Sequence, residues 1–222
     1  GAGDDTDYVA WCWDAGGTTV TNTDGATQST VRSNGYFSVV QASIGALTTI
    51  GHGLSATPDL VIAKCSSTTS PWFIQLPGVM ATGTNLAFSA NAEVSDNFWS
   101  SPQTATTLKI NANTNVSGTS DWIFYCWAAE TGKSSFGLYT GNGSSNAIAC
   151  GFEPAFIMIK STSNNEQWEI VDNARNTSNP RNSVLYPNLA AAEVTASTFN
   201  VDFTSTGFTL NNADGGMNYS GY

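Results

Sequence analysis

Pro58 to Leu76, PDLVIAKCSSTTSPWFIQL, is matched by Pro154 to Asp172, PAFIMIKSTSNNEQWEIVD. At one separation of 96 residues, Pro58 meets Pro154, Lys64 meets Lys160, Trp72 meets Trp168 and Ile74 meets Ile170. Upstream, Ile50, Gly53 and Leu54 match Ile148, Gly151 and Phe152 at a separation of 98. Downstream, Ala92-Glu93-Val94 meets Ala192-Glu193-Val194, and Leu108 and Ile110 meet Phe208 and Leu210, at 100. The slow drift places small insertions in loops while strands keep register. A unit of about 100 residues is too long for a solenoid or propeller-blade repeat and suits a β-sandwich. The expected division is an N-terminal strand and linker over 1–34, a first unit over 35–128 and a second over 129–222. The second unit's closing strand is then missing or supplied by another segment.

The segments LVIAK, FIMIK, WFIQL, WEIVD and YVAWCW are short and rich in β-branched and aromatic residues. Clusters of Gly, Pro, Asn, Asp and Ser bound them, which is the signature of strands. The predicted fold is all-β: two tandem antiparallel β-sandwich-like, jelly-roll-like units. The stretch TTVTNTDGATQSTVRSN reads as a linker or long loop. PNLAAAEV (187–194) has helix propensity and Pro near its start, so at most one turn or a short helix is expected there. Trp11, Trp13, Trp122 and Trp127 are expected to pack between sheets or units.

Charged residues are only 11% of the 222, against roughly 25% in an average soluble domain. The surface must therefore be built from Ser, Thr, Asn and Gly. Seven Lys and Arg against seventeen Asp and Glu give a net charge of -10. That argues against nucleic acid and anionic membranes as partners. No apolar run approaches the roughly 20 residues of a membrane span, so no membrane insertion is expected. GAGDDTDYVA has neither a basic n-region nor an apolar h-region, so no signal peptide is read there.

Cys12, Cys65, Cys126 and Cys150 include no CxxC pair, which disfavours zinc. Cys12 and Cys126 share an aromatic context and read as buried free thiols, structural in role; a disulfide is the alternative. His52 is the single histidine, and no GxSxG elbow accompanies it. Its repeat counterpart is Cys150, so a turn or strand-edge role is expected rather than catalysis. Asp4, Asp5 and Asp7 lack the spacing of a calcium loop. Glu166, Glu169 and Asp172 flank Trp168. A glycosidase needs two carboxylates across a cleft, but the first unit has Ser70, Phe73 and Leu76 there. These acids are read as strand-edge charges. No enzyme activity, cofactor or metal is expected.

Sugars stack their C–H faces on aromatic rings and offer hydroxyls to polar side chains. Trp99, in the turn-rich DNFWSSPQ, with Tyr139 and Asn142, are the glycan-contact candidates. Trp72 and Trp168 recur at one separation with Ile74 and Ile170 and read as core, with Pro58 and Pro154 as structural partners. The sequons at Asn115, Asn142, Asn176 and Asn218 are about what chance gives in so Asn- and Ser-rich a chain.

YVAWCW with AGG, NTDG, GHGL, then FGLYTGNGSSNAIACGFEPAFIMIK, WEIVDNARN, LYPN and STGFTL together resemble a tandem β repeat domain. It is found in large tail-fibre and virion-appendage proteins of marine tailed bacteriophages, often beside laminin-G-like modules. The resemblance spans essentially the whole chain. It implies a non-enzymatic virion protein: a tail fibre, appendage or capsid-decoration unit serving architecture and host attachment. It would be assembled in the host cytoplasm and displayed on the virion surface. Its partners would be copies of itself, as a trimer or filament, other virion proteins and host-surface glycans. A glycan-binding adhesin of a cell-surface or secreted fibre is the alternative. YVAWCW resembles DWIFYCW, the closing strand of the first unit. It is therefore a candidate to fill the slot of the second unit, pairing with the sheet of Phe208–Leu210 in the same or a neighbouring copy.

Overall fold

The computed structural model describes residues 10–89, 91–100, 102–112 and 118–220. These residues contain seventeen strands, β1 to β17, and no α-helix. Every strand pairing is antiparallel. The fold is all-β and sandwich-like.

The first unit is built on a six-stranded sheet in the order β1-β2-β3-β10-β5-β6. Its strands are β1 (Thr19–Asn22), β2 (Ser29–Ser33), β3 (Phe37–Ile44), β5 (Leu60–Cys65), β6 (Trp72–Gln75) and β10 (Ser120–Trp127). Alternation sends Val31, Val40, Val61, Phe73 and Phe124 into one core. The opposing layer is the pair β4 (Leu47–Gly51) and β9 (Thr107–Asn111), which contributes Ile50, Leu108 and Ile110. Phe98 fills the centre, stacked on Phe73 at 4.1 Å and tilted against Trp122 at 4.9 Å. Two short strands, β7 (Thr84–Asn85) and β8 (Val94–Ser95), close the side.

The second unit repeats part of this plan, without strand counterparts of β1, β2, β3 and β10 among the described residues. β12 (Phe156–Ile159) and β13 (Glu169–Asp172) pair Met158 with Ile170, as β5 and β6 pair Ile62 with Ile74. β11 (Ser145–Ala149) and β17 (Gly207–Asn211) pair Ile148 with Phe208, as β4 and β9 pair Ile50 with Leu108. β14 (Ser183–Val184) and β15 (Val194–Thr195) stand where β7 and β8 do, and β16 (Val201–Thr204) extends the β11–β17 layer. The bridges Ile74 to Leu86 and Ile170 to Leu185 match as well. The turns agree: the His52 and Cys150 amides donate to the Thr106 and Thr206 carbonyls, and Gly53 and Gly151 both have positive φ, 67° and 84°. Glycine adopts that backbone conformation without strain. Pro58 and Pro154 are both buried at the entry to the repeated strands.

The six-stranded sheet has a second apolar face, and the second unit covers half of it. Leu60, Ile62 and Ile74 point away from the first core and pack with Met80, Leu86 and Trp168. Trp168 is 4% exposed and its indole N–H donates to the Ala87 carbonyl at 2.7 Å. The Glu93 amide donates to the Thr162 carbonyl, and the Ala92 amide to the Asn165 side chain. Trp168 is therefore buried as expected, but at the junction of the units. Trp72 is only partly buried, edge-on to Phe88 at 5.5 Å.

Two expectations are corrected, and the single turn allowed within 187–194 is present. The stretch read as a linker is the β1–β2 hairpin, because alternating Ser29, Val31 and Thr30, Arg32 give it one buried and one exposed face. Residues 187–189 make a turn, with the Leu189 amide bonded to the Tyr186 carbonyl and Leu189 46% exposed; no apolar stripe is available to hold a helix. Ala10–Trp13 form no strand, and the expected pairing with the sheet of Phe208–Leu210 is absent among the described residues, because β17 is already flanked by β11 on one side and β16 on the other. Tyr8, Val9, Asp4, Asp5 and Asp7 lie outside the described residues.

The junction yields a prediction. Trp168→Ala removes a buried ring and should cost about 3–5 kcal/mol in chemical denaturation. Trp168→Phe keeps most of the packing but leaves the Ala87 carbonyl unpaired, and should cost about 1–3 kcal/mol. Equal, near-zero losses in both variants would mean the junction contributes nothing to stability.

Candidate functional site

The three glycan candidates are used by the fold. Trp99 is 1% exposed, edge-on to Phe98 at 4.9 Å and bridged through its backbone to Ile110. Its turn-rich surroundings suggested exposure, but the turn folds its ring inward. The Tyr139 hydroxyl donates to the Met217 carbonyl at 2.6 Å, and burial pushes its pKa up. The Asn142 side-chain oxygen accepts the Ser144 amide, and its nitrogen donates to the Ser145 carbonyl. Asn218, 1% exposed, accepts from the Asn142 amide and the Asn146 side chain. These amides tie residues 212–218 to the start of β11. A buried Asn218 cannot carry a glycan, and Asn115 lies outside the described residues.

The exposed aromatic surface lies elsewhere. Trp13 is 51% exposed, with its inner side edge-on to Trp127 at 5.8 Å and to Phe156 at 6.3 Å. It therefore packs between the units while presenting a free side. It forms one wall of a shallow depression of about 450 Å³ whose floor is the uncovered half of the six-stranded sheet. Thr30, Arg32, Val39 and Gln41 line that floor, because the register puts Thr30 opposite Gln41 and Arg32 opposite Val39. Arg32 Nε donates to the Gly16 carbonyl at 2.7 Å, which fixes the guanidinium. Among the described residues it has no carboxylate partner within 4.0 Å. A flat ring, a fixed cation, an amide and a hydroxyl around one depression suit a polar ring-shaped ligand.

A second depression of about 490 Å³ lies at the junction, lined by Trp72, Phe88, Pro187, Asn188, Leu189 and Ala190. Lys64 Nζ stands 5.7 Å from the centre of the Trp72 ring. This wall is mainly apolar, and Asn188 is occupied by the Trp168 amide and Gln167.

The acidic residues near Trp168 are not strand-edge charges. Glu169 and Asp172 are each 4% exposed. Three positions apart on β13, they diverge. Asp172 pairs with Arg175 at 2.7 Å and accepts the Ala174 and Arg175 amides. Burial raises its pKa, but those hydrogen bonds outweigh it and hold the carboxyl below the usual range. Glu169 occupies the repeat position of Phe73 and faces Asp214 and, further off, Glu166. Burial and the neighbouring carboxyl push it up to about 9. Its Oε2 is buried without a hydrogen-bond partner, and any side chain at Gly216 would collide with Oε1. Glu169 is thus held protonated at neutral pH in a pocket sealed by the 214–217 loop. The sequence signal for Asp214 was its Gly215-Gly216 sequel; its distance along the chain hid the contact.

Of the thiols, Cys65 and Cys126 are buried, Cys150 is half-buried and Cys12 is exposed; all are free. Burial pushes Cys126 up to about 12. Cys12 departs from its expected burial because its segment forms no strand. His52 is fully buried. Its Nδ1 accepts the Leu54 amide and its Nε2 donates to the Thr104 carbonyl, so it shapes the turn as a neutral ring. Burial lowers its pKa. Among the described residues no cluster of His, Cys, Asp and Glu could hold a metal ion.

Residues 3–222 match the family described as Domain of unknown function (DUF7483). The chain belongs to that family. No curated protein and no solved structure matches it. The sandwich-like pair with its shared Trp168 junction is therefore a structure for DUF7483, and Trp13, Arg32 and Gln41 line an exposed depression on it. No helix among the described residues is long and apolar enough to cross a membrane.

Two buried groups set opposite pH slopes. His52 is lowered on folding, so the unfolded chain binds more protons and stability should fall as pH drops below about 6.5. Glu169 is raised, so its unfavourable ionisation should erode stability as pH rises from about 4.5 towards 9. Glu169→Gln should therefore raise the melting temperature at pH 8, by the equivalent of about 1–3 kcal/mol, and change little at pH 4. A Gln variant destabilised equally at both pH values would remove Glu169 as the source.

Proposed function

We propose that this DUF7483 chain is a non-enzymatic architectural module of a tailed-phage virion, placed in a tail fibre, appendage or capsid decoration and exposed at the particle surface. One observation carries the proposal. Two copies of one sandwich are fused through a buried, hydrogen-bonded face, with Trp168 as the wedge. Such a junction makes a stiff spacer from two small domains, as a particle surface requires. An exterior built mainly from uncharged polar side chains, with charged residues only 11% of the chain, suits dense packing beside identical copies, so the module associates with itself and with other virion proteins. The order of motifs along the chain supports the same assignment. Purified virions carrying the parent protein, labelled with antibodies against this chain, should show the label on an appendage or capsid surface by electron microscopy. Label confined to host-cell debris or membranes would sink the assignment.

A glycan-binding reading is favoured by the Trp13 depression. Its exposed ring and its Arg32 and Gln41 side chains provide a stacking platform beside hydrogen-bond donors. The free guanidinium favours sugars bearing a carboxylate. On a glycan array the chain should bind acidic glycans, and Trp13→Ala should weaken binding at least ten-fold while Trp72→Ala leaves it unchanged. An array without hits leaves attachment to other parts of the virion.

A further inference from the structure

The two units differ at one sheet edge. In the first, β5 is paired on both sides, with β6 and with β10. In the second, the counterpart β12 pairs with β13 and, among the described residues, with no other strand. The counterpart of β3 in the second unit, residues 136–140, is likewise unassigned to any strand. The two segments that in the first unit hold β10 between them thus have no strand between them in the second. The edge of β12 reads Phe-Ile-Met-Ile, with no charge, proline or bulge to discourage pairing. Natural sheets do not leave such an edge open.

The missing strand has a specification. β10 places Phe124 and Cys126 in the core and Tyr125 and Trp127 on the junction face, with Trp127 opposite Leu60 and Cys126 opposite Val61. The N-terminal segment Ala10-Trp11-Cys12-Trp13 has the same Cys-Trp ending and an aromatic ring, Trp11, at the place of Tyr125, with the smaller Ala10 at the place of Phe124. It is also in place. Phe156 is the counterpart of Leu60, and the rings of Trp11 and Trp13 already lie 5.9 Å and 6.3 Å from it. Behind Trp13 the chain is anchored, since the Asn34 side chain donates to the Asp14 carbonyl at 2.8 Å.

We propose that Ala10–Trp13 closes the second unit of its own chain as a strand antiparallel to β12. Trp13 stands opposite Phe156, Trp11 opposite Met158 and Ala10 opposite Ile159. Cys12 stands opposite Ile157 with its thiol in the second core, as Cys126 stands opposite Val61. The step moves four residues about the Asp14 anchor and converts the exposed Cys12 into a buried one. It is independent of the virion reading, because it concerns how the sandwich closes and not where the module is displayed.

Alkylation of the full chain by iodoacetamide, followed by peptide mass mapping, tests the closure. Cys126 serves as the buried reference and Cys150 as the half-buried one. Cys12 should react at least ten-fold more slowly in the wild-type chain than in Trp11→Pro, which cannot sustain a strand paired on both sides. In parallel, backbone amides of Phe156–Ile159 should exchange at least ten-fold more slowly in the wild type than in that variant. Reactivity of Cys126 in the variant would report global unfolding. The wild-type comparison then decides alone: slower Phe156–Ile159 exchange than at the edge strand β1 supports closure, and equal exchange overturns it. Cys12 as reactive as Cys150 in the wild type overturns the proposal. So does protection that vanishes on dilution to a monomer by light scattering, since the strand would then come from another copy.

Discussion

The outer face of the six-stranded sheet is the constraint on which the rest depends. A sheet with one wet face needs polar residues there, and β1, β2 and the outer half of β3 have them in Thr30, Arg32 and Gln41. Along β5 and β6 the same face carries Leu60, Ile62 and Ile74, so the first unit cannot stand alone in water at that side. The second unit supplies the cover, and Trp168 is suited to it because one ring fills the gap while its N–H satisfies the Ala87 carbonyl. The division of the sheet face also decides where ligands can reach. The uncovered half, beside Trp13, combines exposure with polar lining.

Repetition constrained the backbone far more than the side chains. Lys64 and Lys160 both reach loop carbonyls, of Ser70 and Asn164, and hold the two hairpins the same way. Phe73 and Glu169 occupy equivalent strand positions with opposite chemistry. Phe73 stacks on Phe98 in an aromatic slab, whereas Glu169 is turned to Asp214 in the 214–217 loop. The second core is correspondingly less aromatic, centred on Val171, Phe203 and Leu210. A duplicated fold keeps what sets strand register, namely turn geometry and inward alternation, and lets the filling diverge when another segment compensates the volume.

How much was legible in the chain follows from that distinction. The repeat, the all-β class and the equivalence of Pro58 with Pro154 and Trp72 with Trp168 were readable, because they depend on local alternation at a constant separation. The β1–β2 hairpin was not, because Thr and Ser on an exposed edge resemble a polar loop until Val31 is seen to face a core. Trp99 was read as exposed for a similar reason: its burial is set by the layer folded over it, which a turn-rich local sequence does not show. The open surface at Trp13 was missed because its segment resembles a buried strand. Glu169 was read as an edge charge because its partner Asp214 lies beyond the range of any local pattern.

The scarcity of charge then has a structural explanation. Two of the seven basic groups are used inside the fold as ties. Arg175 binds Asp172 and Glu193, and Arg181, 5% exposed, binds the Asn179 side chain and lies 4.2 Å from the Phe203 ring centre. The work usually done by surface ion pairs falls to neutral side chains that cap turns. Asn34 holds the entry to β3 through the Tyr36 and Phe37 amides, Asp24 is held by Asn22, and Asn218 organises the end of the second sandwich. Such bonds are insensitive to salt and weakly sensitive to pH, unlike surface ion pairs, which are screened within about 10 Å at 0.1 M. The titratable burden is thereby concentrated in a few buried groups, chiefly His52 and Glu169. Their opposing slopes confine the pH response to the turn before β5 and the loop that seals the second core.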